Sequence, residues 1–238
     1  MVRRPRARVS PPVDSHCREG NRVKDSKKGD RPRLPDSLEE QSAEEMVARL
    51  AQEGYVERGS LQNQRLEGEL RGKATIDSYH FRHVDATALR VEGIEWVDVV
   101  FEHCDLSNLD LSGAVMHRVA FRDCKLMGLD LTDATLRHIA FDNCDMRYIN
   151  LRHADLKRVT MDGCALTNGD AYQASFAEVS MTRSNLDQMQ LTGVKLAGMD
   201  LSSCEFSAID ALPGDLQGCR IAPAQAIAFA PLLGLIID

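Results

Sequence analysis

The chain has 238 residues, 43% of them hydrophobic but only 5% aromatic, so its interior must be filled by Leu, Met, Val, Ala and Cys. The charge is divided: residues 1–35 carry 11 basic and 4 acidic side chains, net +7, and residues 36–238 carry 18 and 32, net −14. This excludes a general nucleic-acid binder for the folded part and leaves cationic protein surfaces as partners; with no apolar run of about 18 residues and no apolar stretch after the basic start, neither a membrane span nor secretion is expected.

Residues 1–35 are rich in charge, Pro, Gly and Ser and lack apolar periodicity, which predicts a disordered basic tail. Such a tail is solvated or touches nucleic acid or acidic lipid; alternatively translation begins downstream, for instance at Met46. Residues 36–75 are expected to form a helical N-terminal cap and lead-in. Asp36 and Ser37 are cap candidates, Leu38, Met46, Val47 and Leu50 fall near helical spacing, and Gly54 is a stop signal. Such a helix covers the open N-terminal end of the repeating region downstream.

From Phe101 to Phe206 every fifth residue is apolar without an insertion, and the frame extends upstream through Ile76, Phe81, Ala86, Val91 and Trp96. Two residues before each stands a second apolar or small residue, such as Val99, Cys104, Leu109 and Ala114. A period of five fits neither a helix nor a long strand, but it fits short straight segments joined by turns. A period of 20 lies on top: Phe81, Phe101, Phe121 and Phe141 form one series, and Cys104, Cys124, Cys144 and Cys164 another. Four pentapeptides therefore make one turn, and roughly seven coils about 4.8 Å apart make a rod.

The motifs CDLSN, LDLSG, CKLMG, LDLTD, HADLK and MDLSS resemble the pentapeptide-repeat family over residues 76–221. The resemblance implies an all-β solenoid, a right-handed quadrilateral β-helix, here assigned to residues 76–222. Residues 223–238 read as a short C-terminal helix from Pro223 to Gly234. This segment is similar to the tails of gyrase-protecting members, the Qnr family and its mycobacterial relative. That similarity implies a cap and a homodimer contact through Phe229, Leu232, Leu233, Leu235 and Ile236.

The outward positions define two candidate surfaces. Asp110, Asp130, Asp170 and Asp210 line one corner together with Asn150 and Gln190. They form either an acidic ridge for a cationic partner or a set of turn-capping side chains. Beside them His117, Arg118, Arg137, His138, Lys157 and Arg158 stack as a basic patch that interrupts any uniform DNA-like potential. The cysteine column reads as packing, since each thiol occupies the small inward slot. The small residues Gly169 and Ala171 predict a dent in the rod.

No nucleophile elbow, phosphate loop or metal motif occurs, so a non-enzymatic protein without cofactor or metal is expected in the cytoplasm. By resemblance its function is that of a DNA-mimicking modulator or protector of DNA gyrase, with no direct nucleic-acid binding by the solenoid. The alternative is an interaction scaffold for an unknown protein partner. The unbroken frame departs from Qnr proteins, whose coils carry protruding loops.

Overall fold

Each pentapeptide turns a corner because the second residue after its central inward side chain adopts the left-handed conformation. Twenty non-glycine residues between Arg58 and Gln188 have φ between 50° and 60°. Left-handed φ costs an L-residue about 1 kcal/mol or more, so these corners persist only because the coil bonds over-determine them. Where the corner is a tight turn, the next inward N–H closes it: Leu109 donates to the Leu106 carbonyl at 3.2 Å and Leu129 to that of Leu126 at 3.1 Å. Neighbouring coils are then joined by bonds such as Leu131 N–H to the Asn150 carbonyl at 2.7 Å and Leu151 N–H to that of Asp170 at 2.6 Å.

The computed structural model describes residues 30–70, 72–234 and 236. They form a parallel β-solenoid of about 9 turns. Its longest ladder joins Ala74–Arg82, Ile94–Glu102, Val115–Arg122, Thr135–Asp142 and Asp155–Asp162. Register is constant at one 20-residue coil, pairing Phe81 with Phe101, Phe121, Phe141 and Met161 in succession. Those four phenylalanines stack with ring centroids 4.7, 5.1 and 4.9 Å apart, each ring filling the space over the one below. Inward Leu126, Leu131, Leu136 and Leu151 are fully buried.

Cys104, Cys124, Cys144, Cys164 and Cys204 lie in the same core as free thiols. Cys104, Cys124, Cys144 and Cys164 donate to the carbonyls of Phe81, Phe101, Phe121 and Phe141 at 3.4–3.6 Å. Ser184 takes the next slot and bonds the Met161 carbonyl in the same way. The column is therefore packing with a weak bond to the coil before it.

The solenoid begins earlier than the lead-in assigned to residues 36–75. Tyr55–Glu57 and Gly59–Gln62 already pair with Ala74–Arg82, and Val56, Leu61 and Leu66 fill central inward positions. A one-residue register shift between Arg65 and Glu67 in the pairing with Asp85–Val91 moves Leu70 inward and breaks the five-residue pattern, which hid this coil in the sequence. Helix α1 (Ala43–Glu53) starts at Ser42 rather than Asp36 or Ser37. Ser42 Oγ accepts from Glu45 N–H and Glu45 Oε2 from Ser42 N–H, a reciprocal cap. The helix ends at left-handed Gly54 and buries Met46 and Leu50 on the coil end.

At the other end the expected helix is two 3-10 segments, Pro223–Phe229 and Pro231–Leu233. Pro231 lacks the N–H that a continuous helix needs. Gln225 Nε2 donates to the carbonyls of Leu201 and Cys204 at 2.9 and 2.6 Å, satisfying acceptors of the last coil, while Phe229 packs edge-on against Phe206 with centroids 5.7 Å apart. The dent expected at Gly169–Ala171 lies one unit later. Gly169 has no spare room, because an added Cβ would meet the Leu166 carbonyl at 3.0 Å and Ile149 Cγ2 at 3.2 Å. Inward Phe176 and Val179 are instead partly exposed, since no β-bridge joins residues 175–180 to 195–200. Of the tail, residues 30–35 are irregular chain docked on the rod and not disordered; residues 1–29 lie outside the described residues.

Two outcomes are expected. Leu151→Asp, which places a carboxylate in the fully buried stack, should abolish the cooperative circular-dichroism melt, at a cost above about 4 kcal/mol. Tyr148→Asp at a corner 58% exposed should cost less than about 1 kcal/mol. Glu102 accepts from Arg122 at 2.7 Å and Arg82 at 2.9 Å, clamping three coils. Burial raises its carboxyl pKa, but the two arginines outweigh burial and hold it at about 2 instead of 4.5. The clamp's contribution is complete above pH 4.5 and fades as pH falls toward 2. Glu102→Gln should therefore lower stability by about 1–2 kcal/mol near neutrality, allowing for half-exposed arginines, and the gap from wild type should close in acid-titration melts near pH 2.

Candidate functional site

The 20-residue register converts repeated outward positions into longitudinal rows, and the two predicted surfaces are such rows. Asp110, Asp130, Asn150, Asp170 and Gln190 are bridged in succession, with Gln190 paired to Asp210. From Asp110 to Gln190 each side chain turns one oxygen back to the backbone N–H two residues on. Asp110 bonds Ser112 at 2.9 Å, Asp130 Thr132 at 2.8 Å, Asn150 Arg152 at 3.2 Å, Asp170 Tyr172 at 2.8 Å and Gln190 Thr192 at 2.9 Å. Turn capping is thus what this row does in the structure, and Asn does it as well as Asp. The second oxygen of each Asp is left for other contacts. At Asp170 that oxygen meets Arg152 Nη1 at 2.8 Å, while the Arg152 guanidinium covers the Tyr172 ring at 4.7 Å.

Four carboxylates on this row span about 24 Å from Asp110 to Asp210, taking about 4.8 Å per coil. A single DNA strand carries about seven phosphates over that length. The row alone is therefore a dilute copy of a nucleic-acid backbone. On adjoining corners Asp133 adds to the negative surface, whereas Asp145 is held by Arg147 at 2.7 Å and Asp105 faces Lys125 at 3.8 Å.

The basic patch is brought together as expected, but its charges are largely spoken for. Arg118 grips Asp98 with two bonds of 2.6 Å, and Asp98 is only 7% exposed. Burial and the adjacent Arg118 guanidinium lower the His117 pKa, which keeps that ring neutral near pH 7. Arg137 pairs with the Asp155 carboxylate and donates to the Asp155 carbonyl at 2.7 Å. Arg158 meets Glu178 at 3.2 Å, His138 Nδ1 lies 2.6 Å from Asp30, and Lys157 is exposed. Asp98, Glu178 and Asp30 were invisible as partners in the sequence, although the 20-residue spacing of Asp98 from Arg118 and of Glu178 from Arg158 was the available signal.

In the C-terminal segment Phe229 is part of the cap, Leu232 is half-buried and Ile236 is 90% exposed. Leu233 lies in the second 3-10 segment, and Leu235 lies outside the described residues. Leu216, Cys219, Ile221, Ala226 and Phe229 line an apolar cleft of about 220 Å³ at this end. His83 and His103 stack at 5.0 Å on one corner. Among the described residues no cluster of His, Cys, Asp and Glu has the arrangement of a metal site, and no helix is long and apolar enough to cross a membrane.

Models of the pentapeptide repeat region match residues 94–168, and models of pentapeptide repeats match residues 172–207. No curated protein matches the sequence significantly. Among solved structures, the chain is similar to a pentapeptide repeat protein of the Arabidopsis thaliana thylakoid lumen, with 23% identity and a TM-score of 0.38 over 40% of this chain and 66% of that one. HetL, a pentapeptide repeat protein involved in heterocyst differentiation regulation from the cyanobacterium Nostoc, shows 18% identity and a TM-score of 0.33, covering 76% of this chain and 91% of that one. QnrB1, a plasmid-mediated fluoroquinolone resistance protein, shows 15% identity and a TM-score of 0.28, covering 76% and 100%. Such low scores carry no argument about function. With the repeat models matching residues 94–168 and 172–207, and with a 20-residue coil turned at left-handed corners, this part of the chain is a pentapeptide-repeat region.

Proposed function

We propose that this protein is a non-enzymatic scaffold that binds another protein through the outer rows of its rod. One observation carries the reading: three of every five side chains face outward, and a constant register aligns them into rows running the length of the coil stack. A surface of this kind suits an extended protein contact better than the enclosed, converging groups of a catalytic cleft.

The narrower reading is a modulator of DNA gyrase, met through the acidic side of the rod as a DNA mimic. The net charge of −14 over residues 36–238 supports it, and Asp110, Asp130, Asp170 and Asp210 are its contact residues. The charge density of that row is low, so the reading needs the neighbouring corners to contribute. A homodimer through the C-terminal tail accompanies it, supported by exposed Ile227 and Ile236, at 64% and 90%, beside the terminal apolar cleft. A cytoplasmic location fits both readings.

The test uses purified full-length protein and gyrase in a DNA supercoiling assay with and without a fluoroquinolone. A triple variant, Asp110→Asn, Asp130→Asn and Asp170→Asn, removes three charges but keeps the turn-capping oxygen, as Asn150 does naturally. Wild-type protein should shift supercoiling or drug inhibition, and the triple variant should be weaker by about tenfold with an unchanged melting curve. An effect that survives in the triple variant moves the contact off this row. No effect of wild type at all ends the gyrase reading and leaves the scaffold with another partner.

A further inference from the structure

Residues 30–41 belong to no complete coil. They run along the outside of the rod, with bends at residues 30, 31 and 36 and strand only at Glu39–Glu40, opposite to the direction in which the coils accumulate. Asp30 Oδ1 sits 2.6 Å from His138 Nδ1 and 3.9 Å from Arg158 Nη1. Arg33 N–H donates to Asp98 Oδ1 at 2.8 Å, and Glu39 and Gln41 N–H groups reach the carbonyls of Arg58 and Ser60 at 3.1 and 3.0 Å. Nine residues of extended chain reach about 30 Å, enough to pass the four coils between His138 and Arg58 at about 4.8 Å each. The segment is a strap laid across one corner of the coil.

Its side chains alternate as a half-buried strand does: Pro32 and Leu34 are partly buried, whereas Arg31, Arg33 and Pro35 are exposed. The rod beneath shows the matching signature. Val100 and Ala120 occupy outward positions, where a rod normally exposes its side chains, yet they are 4% and 2% exposed. Along the same row Ala140 and Thr160 are half-buried and Ser180 is exposed. The face therefore has the parts of a peptide groove: a cationic end at His138 and Arg158, a buried carboxylate at Asp98 that accepts a backbone N–H, and an apolar floor.

We propose that this face is a recognition groove for an extended peptide and that residues 30–36 occupy it as an internal stand-in. The occupant supplied by a partner protein has the strap's chemistry: an acidic residue between His138 and Arg158, a backbone N–H for Asp98 three residues later, and a leucine next. With the strap in place Asp98 holds two Arg118 bonds beside the Arg33 N–H, so this acceptor is positioned by the rod itself. Tethering gives the internal strap a local concentration in the millimolar range, which blocks casual ligands and makes release the controlled step. The proposal rests on the protein-binding reading and not on gyrase, so the supercoiling result stands whatever happens here.

The probe is a fluorescein-labelled peptide of residues 29–38, GDRPRLPDSL, titrated by anisotropy against full-length proteins. Wild type, with its strap in place, should bind weakly. The full-length double variant Asp30→Ala, Leu34→Ser loses both strap anchors, should be cut by trypsin after Arg33 faster than wild type, and should bind the peptide at least about tenfold more tightly. Adding Arg158→Glu should remove that gain, with circular-dichroism melts confirming that all three proteins are folded. A released strap without a gain in peptide binding overturns the groove. A strap that stays protected from trypsin in the double variant overturns the assigned anchors. A double variant that pairs with itself and is separated by the peptide assigns the groove to strap exchange between copies and overturns the foreign partner.

Discussion

The left-handed corner residue is the constraint on which everything else here depends. An L-residue resists that conformation, yet twenty non-glycine side chains adopt it at five-residue intervals. What holds them is the bond pattern on either side: a turn closed by the following inward N–H, and a bond across to the next coil. Relaxing one corner would shift the register of its whole pentapeptide and turn inward side chains outward, because each inward pair is fixed relative to the corner after it. Aromatic stacking, the cysteine column and the Asp row are consequences of that fixed register. Each places one residue type over its own kind at a spacing of one coil.

The same register decides what the surface can offer. Charges 20 residues apart become neighbours, so Arg82, Glu102 and Arg122 form a clamp across three coils and Arg118 locks onto Asp98. Side chains that look like a free cationic patch in the sequence are therefore mostly consumed by the rod. The acidic corner is similarly half consumed, because Asp110, Asp130 and Asp170 each give one oxygen to a turn. The capacity left over is distributed along whole rows, and the one row with an occupant is covered by the protein's own N-terminal strap.

Most of the coil was legible in the sequence because inward position and chemistry coincide strictly from Phe101 to Phe206. The first coil was not, since the one-residue shift against Asp85–Val91, whose extra residue lies between Asp85 and Ala88, and inward Leu70 break the frame although Val56, Leu61 and Leu66 continue it. The start of α1 was missed because Ser42 and Glu45 form the cap while Asp36 and Ser37 only look like one. The strap was hidden by its composition. Pro and Arg signal disorder when read alone, and nothing local reveals that Asp30 and Arg33 have partners at His138 and Asp98 several coils away. For the site, the rows were readable and their partners were not: Asp98 stands alone in sequence until the coil places it under Arg118.

Residue-resolved amide hydrogen exchange on the native protein tests the central claim most directly, because each inter-coil bond protects one named amide. The account predicts slow exchange at Leu131 and Leu151, and protection extending upstream to Arg58 and Asn63, whose N–H groups bond the carbonyls of Asp77 and Arg82. It also predicts a local loss of protection at Phe176 and Glu178, where the bonds to the next coil are missing, but not at Ser175, whose N–H bonds the Ala154 carbonyl. Exchange at Arg58 and Asn63 as fast as in an unfolded peptide, with protection beginning only near Ile76, would contradict a capped coil that starts at Tyr55.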